Sequence, residues 1–258
     1  MILALDVGNT NIVIGCLDGE NIYFEGRLST DREKTEMEYA VMFKNILDIY
    51  DVDISELDGA IISSVVPPLT AILKSAMQLV TGCVPLEVSI AMDHGIKLDV
   101  DRPEQVGSDL IVSAVAALDK FAPPLIIFDM GTATTISVLD KDGVFCGRSI
   151  LPGVKISQDA LSAKASLLPN IGIEPADDII GRNTVDSMKS GMIYGSAAML
   201  DGMIDRIEEV LGQKAAAIAT GGLACAVVPY CKREIVLDDA LLLKGLWLIY
   251  ERKQKGTE

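Results

Sequence analysis

The chain repeats itself, and the repeat limits what it can fold into. Residues 2–19 read ILALDVGNTNIVIGCLDG and residues 125–143 read LIIFDMGTATTISVLDKDG. Each is an apolar run ending in Asp-x-Gly, then small polar residues, then a second apolar run closing in an acidic-Gly turn. The same offset of 123 residues relates Asp6 to Asp129 and Gly8 to Gly131. A further apolar run follows each turn, at 21–28 and 144–150, and Asp18-Gly19 and Asp142-Gly143 are hairpin signals between the runs. Two copies of one supersecondary plan predict two related halves, each opening with a three-stranded meander.

A weaker echo extends the repeat. GAIISSVVPP (59–68) and AAIATGGLAC (216–225) are both short apolar strands that break into small residues before a helical stretch. The Phe121-Ala122-Pro123-Pro124 punctuation sets the boundary, because a residue preceding proline is disfavoured in helix. The chain therefore divides into an N-terminal lobe, 1–122, and a C-terminal lobe, 123–258. The fold class is α/β, with two lobes and a cleft between them. Helical spacing of apolar residues predicts a helix over 36–50 facing inward through Met37, Val41 and Ile46, and others over about 104–120, 185–211 and 240–251, the last carrying Trp247. Ser187, Gly191, Gly195, Ala198 and Gly202 form a stripe of small residues, which suits close packing by a neighbouring element or a dimer seam, with packing favoured. The tail 253–258 is expected to fray.

Composition removes several function classes. Half of the 258 residues are apolar, enough for a substantial core, and 22 Lys and Arg against 37 Asp and Glu leave a formal charge of −15. That sign opposes nonspecific binding of nucleic acid or of anionic membranes. A single histidine, His94, excludes histidine-triad chemistry and histidine-rich zinc sites. Cys16, Cys83, Cys146, Cys225 and Cys231 are odd in number and lack a C-x-x-C pair, so they read as reduced, mostly buried thiols. Asp6 interrupts the first apolar run too early for a signal peptide, and the stretch 215–230 is broken by Gly221-Gly222 and Pro229. A soluble, cytoplasmic protein without membrane or nucleic-acid partners is expected.

The paired loops have a direct chemical use. Glycine lets the backbone approach phosphate oxygens, and the N–H groups of such a turn point into the hairpin mouth. Asn9, Thr10 and Asn11 add donors to the first loop, and Thr132, Thr134 and Thr135 to the second. The aspartate ending each strand is suited to a cation or its waters. One Asp-x-Gly turn is a common hairpin, whereas two at matching places form a nucleotide-phosphate signature. No G-x-x-x-x-G-K-[ST], G-x-G-x-x-G or G-x-S-x-G string competes with it.

These motifs resemble the acetate kinase, sugar kinase, Hsp70 and actin superfamily, whose lobes are duplicated ribonuclease-H-like units. The individual strings resemble type III pantothenate kinase, nearly end to end: DVGNTN (6–11), SSVVPP (63–68), GSD within 106–117, DMGTATT (129–135), ILPGV (150–154), GRNTVDSMKSG (181–191) and ATGGLA (219–224). The resemblance implies ATP-dependent phosphorylation of pantothenate, the first step toward coenzyme A, by a homodimer using magnesium and a monovalent cation, potassium or ammonium. It implies that Asp6, Val7, Gly8, Asn9, Thr10, Asn11, Ile12 and Val13 bind ATP phosphates, with Asp6 toward magnesium. Thr132 would contact ATP, and Asp129 would ligate the monovalent cation. Val100, Gly107, Ser108, Asp109, Leu110 and Thr184 occupy the acceptor positions, with Asp109 as catalytic base. On its own helix Asp109 shares a face with Gln105 and Ser113, opposite Val106, Leu110, Ile111, Ala114 and Leu118. A solvated acid and a base are both compatible with that spacing.

Two acceptor positions depart from the family pattern. Leu110 stands where arginine is usual, and Val100 where tyrosine is usual. Losing an arginine removes a charge and a fork of donors suited to an anion. Two alternatives follow: a kinase of the same fold with another small hydroxyl acceptor, and a non-catalytic regulator like the Bvg accessory factors, which share the pattern.

Overall fold

The computed structural model describes residues 1–19 and 21–256. Its contacts divide the chain into two compact units: Met1–Ile96 with Asp101–Asp119 and Ala240–Glu258, and Lys97–Val100 with Lys120–Asp239. Each contains one five-stranded mixed sheet.

The first unit opens with β1 (Ile2–Val7), β2 (Asn11–Asp18) and β3 (Asn21–Ser29), the antiparallel meander expected from the apolar runs. Helix α1 (Glu36–Ile49) leads to β4 (Gly59–Ser64), which pairs parallel to β1; α2 (Pro67–Thr81) and β5 (Leu86–Glu87) complete the order β3-β2-β1-β4-β5. Helix α3 (Ser108–Lys120) closes the N-terminal part. All six side chains of β1 are buried because both faces of the sheet are covered. Leu5, Ile12, Phe43, Leu69 and Leu73 belong to a core with α1 and α2, while Ile2, Ala4 and Ile61 belong to another with Val112, Leu243, Leu246 and Ile249.

The second unit repeats the plan. β6 (Leu125–Met130), β7 (Ala133–Leu139) and β8 (Phe145–Pro152) form the antiparallel meander. Helix α4 (Val154–Lys164) and the 28-residue α5 (Thr184–Leu211) follow. β9 (Ala216–Thr220) then pairs parallel to β6, with α6 (Ala224–Val227) and β10 (Val236–Leu237) behind it. The order β10-β9-β6-β7-β8 is the same topology as in the first unit. Met192, Ile193, Leu200 and Ile204 of α5 pack with Ile126, Phe128 and Ile136.

The structure revises several sequence expectations. The last helix, α7 (Leu241–Lys255), belongs by its contacts to the first unit, where Gly245 lets it approach the Val112 backbone so closely that a Cβ has no room. It also runs through residues 253–255 of the tail expected to fray; residues 257–258 of that tail lie outside the described residues. In α1 the buried stripe is Tyr39, Ala40, Phe43 and Leu47, whereas Met37 and Val41 are exposed. Two stripes compete for one core on that helix, and the one with two aromatic rings buries more area. A Cβ built on Gly191 or Gly195 meets nothing within 4 Å, so the small-residue stripe is not used for packing there. Of the cysteines only Cys16 is fully buried, and Cys146 and Cys225 are exposed.

Candidate active site

The first loop is the turn between β1 and β2. Asp6 pairs with Val13 and Val7 with Ile12, and the Gly8 N–H donates to the Asn11 carbonyl at 2.9 Å. The Asp6 side chain is buried. Val7 and Ile12 send their side chains into the core, so only their backbone groups can serve a ligand. Asn9, Thr10 and Asn11 are exposed at the tip, and Val13 is half-buried. The tip is braced from the end of β3: Thr30 Oγ1 donates to the Gly8 carbonyl at 2.7 Å, Thr30 N–H to the Thr10 carbonyl at 2.9 Å, and Arg32 Nη2 to Asn9 Oδ1 at 3.1 Å. Thr30 and the exposed Arg32 escape sequence reasoning, because only the meander returns them to the loop 22 and 23 residues upstream.

The second loop joins β6 to β7. Asp129 pairs with Thr135 and Met130 with Thr134, so this turn is one residue tighter than the first. Thr132 is exposed. Two glycines, from the ILPGV and ATGGLA strings, hold this loop. Gly221, at φ +93°, lies so close that a Cβ there would stand 2.6 Å from Asp129 Oδ1 and 2.7 Å from the Met130 nitrogen. Gly153, N-cap of α4, lies against the Gly131 and Thr132 carbonyls, leaving no space for a side chain. Glycine is required where backbone meets backbone this closely or φ is positive. The ATGGLA and ILPGV strings are therefore the seats of the second loop.

The acceptor residues divide between the units. Gly107, Ser108, Asp109 and Leu110 lie in the first, and Val100 and Thr184 in the second. The helix expected from about residue 104 begins four residues later: Pro103–Gln105 is a separate single turn, and α3 starts at Ser108. Asp109 is thus in the first turn, where an acid is favoured. Its Oδ1 accepts from the Leu110 N–H at 2.8 Å, and the carboxylate folds back over Gly107, occupying the space a Cβ would take. Ser113 is buried and donates to the Leu110 carbonyl, so it does not share an exposed face with Asp109. Leu110 is itself buried. The Ser108 hydroxyl is hydrogen-bonded to Ser63 and Ser64. A cavity of about 300 Å³ lies along Ser64, Val88, Gln105, Gly107 and Ser108. Val100 is half-buried beside the backbone pairing of Lys97 and Asp99 with Phe145. Thr184 is the exposed first residue of α5, capped by Asn183, and lines a cavity of about 630 Å³ with Arg182, Leu161 and Met192.

The donor set suits a triphosphate and a hydrated cation. Gly153 and Gly221 cradle one loop, and Thr135 Oγ1 there is a buried hydroxyl without a hydrogen-bond partner. Among the described residues no three His, Cys, Asp or Glu side chains gather as a metal cage. Magnesium does not need one, since it binds through one or two carboxylates, phosphates and water.

Two duplicated sheets, each carrying an Asp-x-Gly hairpin at the end of its central strand, define the class: an actin-like ATPase fold. The same fold occurs in MreB 5 of Spiroplasma citri (TM-score 0.57, 8% identity, 99% and 97% of the two chains covered). A Baf family transcriptional activator from Campylobacter jejuni shares it too (TM-score 0.63, 17% identity, 98% and 100% covered). The family is narrower. A family model described as type III pantothenate kinase matches residues 2–206. Type III pantothenate kinases from an Exiguobacterium species and from Geobacter sulfurreducens are 42% and 40% identical over 255 residues, covering 99% of this chain and all of theirs. The chain belongs to the type III pantothenate kinase family.

Proposed function

We propose that this chain transfers the γ-phosphoryl group of ATP to the primary hydroxyl of pantothenate, giving 4′-phosphopantothenate and ADP, the first step of coenzyme A synthesis. The observation that carries the reading is end-to-end identity of about 40% with relatives bearing that name. Backbone N–H groups and side chains from Asp6 to Val13, together with Thr132, are assigned to the ATP phosphates. Asp109 is assigned to the hydroxyl: its carboxylate accepts the proton as the oxygen bonds to phosphorus and the bond to the ADP oxygen breaks. Gly107, Ser108, Leu110, Val100 and Thr184 are assigned to the acceptor region. Asp6 would hold magnesium and Asp129 a potassium or ammonium ion. These cations, when bound, neutralise charge on the transferring phosphoryl group. Positioning and charge neutralisation supply most of the acceleration in such a transfer.

A homodimer is part of the proposal. Ile156, Leu161, Ile179, Ile180 and Val185 are all exposed in the single chain, and Gly191 and Gly195 leave open space on α5. Apolar surface gathered around α4 and α5 supports association of two copies. A cytoplasmic location is proposed; no described helix is long and apolar enough to cross a membrane. Because Leu110 is buried, an arginine fork at that position is replaced by core packing. Recognition of the pantothenate carboxylate then falls to other donors, for which Arg182, beside Thr184, is available.

The test is ATP-dependent phosphorylation of pantothenate by the purified protein in potassium and in sodium, with Asp109→Asn alongside. Turnover in potassium, lost in the variant by about 10²- to 10⁴-fold, is the expected result. Bound ATP without pantothenate turnover in either salt would overturn the activity, and full activity of Asp109→Asn would overturn the base.

A further inference from the structure

The hydroxyl groups of Ser63, Ser64, Thr70 and Ser108 form a connected ladder for which the reaction itself supplies no use. Ser63 and Ser64 end β4, and Ser63 stands in register with Asp6 on β1. Ser108 Oγ lies 3.0 Å from Ser63 Oγ, accepts from the Ser64 N–H at 3.2 Å and donates to the Ser64 carbonyl at 3.3 Å. Ser64 Oγ in turn accepts from the Val66 N–H at 3.2 Å and from Thr70 Oγ1 at 2.8 Å. A hydroxyl has one proton and two acceptor sites. The Ser108 hydroxyl thus has three contacts within the protein: the Ser63 hydroxyl, with either as donor, the Ser64 N–H and the Ser64 carbonyl.

We propose that Ser63, Ser64 and Ser108 are positioning residues, which clamp the first turn of α3 to the end of β4 and so set the Asp109 carboxylate relative to the strand that carries Asp6. The inference rests on the reading of Asp109 as the base. The clamp acts where α3 begins, directly after Gly107, a residue with no side chain of its own to cap the helix, and after a single turn that ends at Gln105. The polar tie between the two elements spans 44 to 45 residues of sequence. It reaches the residue immediately before Asp109. Ser63 is fully buried, so its hydroxyl must be bonded within the protein, and Ser108 is the partner it has.

Steady-state kinetics of Ser108→Ala, Ser108→Thr, Asp109→Asn and the double variant Ser108→Ala/Asp109→Asn test this, with thermal melting to confirm folding. Ser108→Ala is expected to lower kcat by about ten- to a hundredfold, the scale of a slightly misplaced catalytic group, with KM for ATP and pantothenate within about threefold of wild type. Ser108→Thr, which keeps the hydroxyl, is expected to retain kcat within about threefold. In the Asp109→Asn background Ser108→Ala should add less than about twofold, because its effect runs through that carboxylate. A rise in the pantothenate KM at unchanged kcat would make Ser108 a substrate contact and overturn the clamp. Losses that multiply in the double variant, or a Ser108→Ala enzyme as fast as wild type beside an inactive Asp109→Asn, would overturn it as well. An active Asp109→Asn enzyme would remove the base and the clamp together.

Discussion

Glu208, in the last turn of α5, is a buried carboxylate whose surroundings allow a worked prediction. Burial alone would raise its pKa, but hydrogen bonds outweigh that and hold it at about 2 against an ordinary 4.5. They come from Lys214 Nζ at 2.7 Å, from Arg233 Nη2 at 2.8 Å to each oxygen, and from the Ala215 N–H at 3.1 Å. The cluster ties the end of α5 to the strand entering β9 and to the segment before β10. A folded pKa below the unfolded one stabilises above the unfolded value, and the contribution is lost as pH falls toward the folded value. The depression corresponds to about 3 kcal/mol at pH 7, at 1.36 kcal/mol per unit. Because Lys214 is 82% exposed, its share is screened by solvent and salt, which leaves about 2–3 kcal/mol. Glu208→Gln should therefore be about 2–3 kcal/mol less stable than wild type at pH 7. The gap should narrow below pH 5 to about half or less by pH 3. Urea unfolding followed by far-ultraviolet circular dichroism at each pH measures it. A difference that stays constant from pH 7 to 3, or one under about 0.5 kcal/mol at pH 7, would refute the reasoning.

Further substitutions test the seats of the site and one helix. Gly221→Ala places a Cβ 2.7 Å from the Met130 nitrogen at a positive φ, and should cost about 2–4 kcal/mol in urea unfolding; an unshifted midpoint contradicts the seat. Gly107→Ala intrudes on the Asp109 carboxylate, the end of a side chain rather than backbone, so the melting temperature should fall less than in Gly221→Ala. A displacement of about 1 Å should nevertheless lower kcat on the order of 10²-fold, and near-normal turnover would show that the folded-back carboxylate is not the working one. Thr35→Ala removes the capping box with Glu38 at the start of α1 and should cost about 1 kcal/mol. An unchanged unfolding free energy would show that the tertiary contacts of α1 alone hold its first turn.

The duplication, both Asp-x-Gly hairpins, the strands at 59–64 and 216–220 and the family itself are legible in residues 1–224 as strings, whereas the parallel pairing of those two strands is not. Each depends on neighbours within a few positions: alternation of apolar residues, acidic-Gly turns, and glycine where the chain bends sharply. Local pattern does not decide which of several equivalent faces wins a core. Hence Met37 and Val41 lose to Tyr39 and Phe43, and Gly191 and Gly195 in the small-residue stripe of α5 face open space. It also misses where a helix begins when Gly107 interrupts an otherwise continuous periodicity. The candidate site shows the same division. The sequence names Asp6, Asp109 and Asp129, but their supports arrive from far along the chain: Thr30 to Gly8, Ser63 to Ser108, and Gly221 to Asp129. Motif and period are properties of a short window, whereas a hydroxyl's partner or a glycine's missing Cβ is settled only when the sheets bring distant segments within bonding distance.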